Sequence, residues 1–123
     1  MAKKEEVLSV LEDLLKMDDI LACMLARKDL GGVVPEKFKV KDVNLWNLVK
    51  SSSNLMFPII DKFYNYKINR LNFELNDYTI MLAPVNQIYS ILVIIPSLAN
   101  MGLIDVELEN SKRKIKKILD SQV

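Results

Sequence analysis

The fold turns on Ile88–Tyr89–Ser90–Ile91–Leu92–Val93–Ile94–Ile95–Pro96–Ser97–Leu98–Ala99–Asn100–Met101–Gly102–Leu103–Ile104. Ile88–Ile95 is almost wholly apolar, follows the tight connection Asn86–Gln87 and is stopped by Pro96. A run of that length and composition predicts an inner strand covered on both faces. Leu103–Leu119 then repeats with helical spacing, placing Ile104, Leu108, Ser111, Ile115 and Ile118 on one side. Its acids (Asp105, Glu107, Glu109) precede its bases (Lys112, Arg113, Lys114, Lys116, Lys117), an order that complements the helix dipole. Two layers cannot cover an inner strand on both sides, so helices are expected on both faces of one sheet.

Upstream of this stretch the period is two. Leu71, Phe73 and Leu75 alternate with Asn72, Glu74 and Asn76, predicting a strand within Ile68–Asn76 that has one solvated face. Asn76–Asp77 turns the chain, and Tyr78–Val85 returns as a strand. At the front, Val7, Leu8, Leu11, Leu14 and Leu15 form the stripe of a helix over Lys3–Met17. Ile20–Arg27 reads as a strand, Asp29–Leu30–Gly31–Gly32 as a turn, and Val33–Val34 as a short strand before Pro35. Val43–Phe63 is mainly helical, with apolar positions covering more than one narrow stripe. Ser51–Ser52–Ser53–Asn54 and Pro58 predict a kink near Asn54, or two helical pieces with Ser53 or Asn54 capping the second. The order is helix, two strands, helix, three strands, helix, in a single domain over residues 1–123.

Composition restricts the chemistry. The sequence has no histidine, which removes the most frequent metal ligand and the easiest base near neutral pH. Its one cysteine, Cys23, lies in an apolar run and reads as a small buried hydrophobe. Gly31–Gly32–Val33–Val34 lacks the phosphate-loop pattern, and Asp18–Asp19 reads as a turn rather than a metal pair. The basic group at 112–117 is read as a solvated helix face, because no aromatic stacking set accompanies it to hold nucleic acid. The apolar stretch Tyr78–Leu98 is interrupted by Pro84, Asn86, Gln87 and Pro96, so no membrane span is expected. No signal peptide is expected either, since Glu5 and Glu6 follow Lys3 and Lys4, and the cytoplasm is the expected location. No enzyme activity, cofactor or metal is expected.

The element order and the segment from Ile91 to Ile104 resemble the roadblock/LC7 family, which includes dynein light chains of that name and regulators of small Ras-like GTPases. The asparagine–apolar–glycine opening of the last helix matches at Asn100 and Gly102. The resemblance implies that Asn100 caps or braces the turn and that Gly102 allows close approach of helix to sheet. It implies an α/β fold: one five-stranded antiparallel sheet with helices on both faces, in the order α-β-β-α-β-β-β-α. The family's first hairpin usually carries an Asp-Gly pair, where this chain has Leu30 between Asp29 and Gly31.

Members of that family pair through their third strand and second helix into a continuous ten-stranded sheet. The corresponding regions here are Ile68–Asn76 and Val43–Phe63. Interface candidates are therefore Trp46, Val49, Met56 and Ile60 on the helix and Asn72, Phe73 and Glu74 on the strand. Trp46 reads either as core or as an anchor in an interface. The expected function is that of a non-catalytic homodimeric adaptor or regulator binding a small Ras-like GTPase. Alternatives are a light-chain or scaffold subunit of a larger assembly, and a small-molecule sensor domain.

Overall fold

The computed structural model describes residues 2–121. Helix α1 (Ala2–Leu14) leads to strand β1 (Ala22–Arg27). Helix α2 (Val43–Ser52), a 3-10 turn (Ser53–Met56) and helix α3 (Phe57–Lys62) follow. Strands β2 (Leu71–Glu74), β3 (Tyr78–Pro84) and β4 (Tyr89–Pro96) precede the long helix α4 (Met101–Asp120). The strands form one antiparallel sheet in the order β1-β4-β3-β2. As the apolar run predicts, β4 is an inner strand.

The sheet divides its side chains strictly by parity. Cys23, Leu25, Met81, Ala83, Ile91, Val93 and Ile95 pack with Val7, Leu11 and Leu14 of α1 and Ile104, Leu108 and Ile115 of α4. Ala22, Met24, Ala26, Ile80, Leu82, Leu92 and Ile94 pack on the other side with Trp46, Val49, Phe57 and Ile60. The α1 and α4 helices thus share one face, and the α2–α3 segment covers the opposite one.

Among the described residues the sheet has four strands, not the five expected. Val33–Val34 contributes a single bridge, in which Val33 and Leu25 exchange both backbone hydrogen bonds at 2.9 Å. In that antiparallel register the next hydrogen-bonded pair would match Pro35 with Cys23, and proline has no N–H to donate. Gly32 sits so close to β1 that a Cβ would lie 1.9 Å from the Leu25 carbonyl oxygen. Toward the turn, Leu30 holds φ at 68°, and neither Gly31 nor Gly32 has a positive φ.

The expected kink in the middle segment is present as the 3-10 turn between α2 and α3. Pro58 stands in the first turn of α3, where its missing N–H breaks no helical bond. Neither Ser53 nor Asn54 caps α3. Ser53 Oγ donates back to the Lys50 carbonyl at 3.1 Å, and the cap position belongs to Met56 without a side-chain hydrogen bond. Helices α2 and α4 are capped as side-chain chemistry suggests. Asp42 accepts from Leu45 N at 3.0 Å, and Asn100 accepts from Leu103 N at 3.2 Å.

Candidate protein-interaction surface

Strand β2 is an outer edge of the sheet. Its backbone parity follows from the hairpin: Leu75 N donates to Tyr78 O at 2.8 Å across the two-residue connection Asn76–Asp77. Hydrogen-bonded pairs recur every second residue, so Phe73 and Leu71 direct their N–H and C=O groups toward β3. Asn72 and Glu74 direct theirs outward, away from the sheet.

The side chains of this strand serve two different faces. Leu71 and Phe73 are half-buried and join the cluster built on Trp46 and Phe57. Asn72 and Glu74 are exposed on the α4 face. There a groove of about 660 Å³ runs between the edge and α4, lined by Arg70, Asn72, Met81, Met101, Asp105 and Glu109 among others. Arg70 Nη1 lies 2.8 Å from Asp105 Oδ1, and Nη2 lies 3.8 Å from Glu109 Oε2. Arg70 Nε is enclosed without a hydrogen-bond partner among the described residues.

The helix candidates resolve differently. Trp46, Val49 and Ile60 are 1%, 3% and 0% exposed, so their surface is spent on the chain's own core. The Trp46 ring packs near Phe38 at a centroid distance of 6.4 Å, and the Lys50 ammonium stands 5.3 Å from its centre. These three residues therefore offer a partner almost no area, and Trp46 takes the core position that was one of its two expected roles. Met56 is half-buried against the same cluster. The accessible apolar surface of this layer instead includes Leu48, Leu55, Ile59 and Phe63, at 62%, 68%, 40% and 52% exposure. Their separations of seven, four and four residues are a helical stripe, but the buried set is likewise apolar and helically spaced, so the sequence does not tell the two apart.

Asn100 acts as the cap expected, and its N–H also approaches Asp19 Oδ2 at 3.4 Å. Gly102 does not perform the close approach implied for it. It is exposed, and a Cβ there would meet only Asn100 Oδ1, at 3.6 Å. Its place in the first turn of α4 faces water rather than the sheet.

Cys23 is enclosed, and its Sγ donates to the Leu11 carbonyl at 3.4 Å. Burial pushes its thiol from 9.0 up to about 12, against a smaller opposing pull from Lys39. Arg113, Lys114, Lys116 and Lys117 are exposed, while Lys112 pairs with Glu109 at 3.9 Å. Among the described residues, no group of three or more His, Cys, Asp or Glu could hold a metal. No helix among them is long and apolar enough to cross a membrane.

Several solved structures share this architecture. The chain is similar to Myxococcus xanthus MglB at 15% identity and a TM-score of 0.74, over 98% of this chain and 92% of that one. It is similar to the gliding protein MglB of Thermus thermophilus at 12% identity and a TM-score of 0.69, covering 99% and 94%. A roadblock/LC7 domain from Streptomyces avermitilis matches at 12% identity and a TM-score of 0.65, covering 90% and 95%. No curated protein matches the chain in sequence. The family described as AF0774-like protein matches residues 3–109. The fold is that of roadblock/LC7 domains, and the chain belongs to the AF0774-like protein family.

Proposed function

We propose that this chain works in the cytoplasm as a non-catalytic, single-domain homodimeric adaptor or regulator that binds a small Ras-like GTPase. The observation that carries the reading is the open edge of β2. Its outward backbone groups at Asn72 and Glu74 have no strand beside them in the described chain, and such an edge must be covered, charged or paired. A two-fold mate supplies the missing strand with the same groups. The apolar stripe of Leu48, Leu55, Ile59 and Phe63 supports a further contact on the α2–α3 layer.

The GTPase reading is supported by the roadblock/LC7 fold together with the open strand edge and the exposed apolar stripe. A partner's hydrolysis or exchange changes only if the dimer binds one nucleotide state better than the other. A hundredfold preference corresponds to about 2.7 kcal/mol of coupling. Calorimetric titration of the purified protein with each small GTPase of the same cell, loaded with GDP or with a non-hydrolysable GTP analogue, tests this. The expected result is unequal affinity for the two states. Equal affinity leaves a scaffold role, and binding to none of them overturns the GTPase assignment.

A further inference from the structure

We propose that Arg70 and Glu74 form a self-complementary charge code that fixes the register of the β2–β2 pairing and selects a second copy of this chain as its occupant. The inference rests on the dimer reading above and adds the register and its selectivity.

Two-fold antiparallel pairing constrains the alternatives. Outward-directed residues must oppose one another, so Asn72, Glu74 and, with the strand continued by the one residue before β2, Arg70 can be matched only among positions of the same parity. Centring the axis on Asn72 opposes Arg70 with Glu74 of the second copy, twice by symmetry. Those pairs lie on the α4 face, where Arg70 already meets Asp105 and Glu109. On the opposite face the same register sets Leu71 against Phe73 of the second copy, twice, and these are the half-buried apolar positions of the strand.

Neighbouring registers lose these matches. Centring on Phe73 places Arg70 opposite Asn76, a neutral residue of the hairpin connection. Centring on Leu71 sets Arg70 against Asn72 and Glu74 against Ile68. Centring on Arg70 sets two arginines against each other. The Asn72-centred register alone opposes the cation to the anion and uses only residues before the turn. Glu74 is exposed and makes no ion pair among the described residues, while the Arg70 guanidinium, 20% exposed and held by Asp105 and Glu109, presents its cation on the same face. An unrelated edge lacking the cation and anion at this spacing leaves like or unpaired charges at both ends.

The test uses charge reversal and mixing in the full chain. At a concentration where the wild type is dimeric by sedimentation, Arg70→Glu and Glu74→Arg are each expected to weaken self-association at least tenfold. An equimolar mixture is expected to form a heterodimer, because each variant then opposes a cation to an anion at both ends. Repairing the loss by mixing cannot come from the intramolecular Arg70–Asp105 contact. Since Arg70→Glu removes that contact and can unfold the chain, Asn72→Cys provides a second reading. With Cys23 enclosed, diamide is expected to oxidise the two axial thiols to an intermolecular disulfide, and the Asn72-centred register brings their Cα atoms within reach. A dimeric wild type with neither heterodimer formation nor cross-linking at Asn72 overturns the register while leaving the dimer intact. A monomeric wild type overturns both.

Discussion

At the scale of single residues, Cys23 shows how position decides chemistry. A thiol in an apolar run carries no information about reactivity until its surroundings are known. Here the sheet and α1 enclose it, and its proton is directed at the Leu11 carbonyl. The neutral thiol is therefore favoured, with a pKa of about 12 in place of 9.0. A folded-state value raised above the unfolded one contributes stability that is fully present below about pH 9.0 and is lost as pH rises toward 12. Two outcomes follow. A maleimide is expected to leave the native protein unlabelled at about pH 8 and to label it in denaturant. Removing the thiol with Cys23→Ala should flatten the loss of stability above pH 9.0; labelling of the native protein at the unfolded rate would contradict the enclosed site.

Among the elements, the glycines separate what sequence conveys from what only packing conveys. Gly32 and Gly102 look alike in a sequence, one in a turn and one at a helix start. Gly32 presses against the Leu25 carbonyl, so Gly32→Ala is expected to destabilise the fold by about 1–3 kcal/mol through overpacking. Gly102 has room for a methyl group, so Gly102→Ala is expected to stabilise α4 by up to about 1 kcal/mol. Urea titration of the two variants checks both signs, and a destabilising Gly102→Ala would restore the close-approach reading. The same contrast runs through the fold. The inner strand, the two-sided sheet and the kink before Pro58 were legible because each depends on local period or on one residue's backbone chemistry. The failed fifth strand was not, because Pro35 matters only once Leu25 and Val33 have set the register. The exposed apolar stripe escaped for a similar reason. Trp46, Val49 and Ile60 are as apolar and as helically spaced as Leu48, Leu55 and Ile59, and only the sheet beneath decides which set is enclosed.

For the molecule as a whole, the central claim is that the β2 edge is completed by a second copy. Asn72 offers a probe that separates pairing from folding. Its N–H points away from β3, so Asn72→Pro removes no hydrogen bond within the sheet, and edge strands accept proline at such positions. The same change deletes an outward donor at the centre of the pairing edge. Sedimentation equilibrium of the wild type and of Asn72→Pro at micromolar concentration is the direct measurement, with circular dichroism confirming that the variant is folded. A dimeric wild type and a folded, monomeric variant are expected. A monomeric wild type, or a variant that dimerises as tightly as the wild type, would contradict the claim.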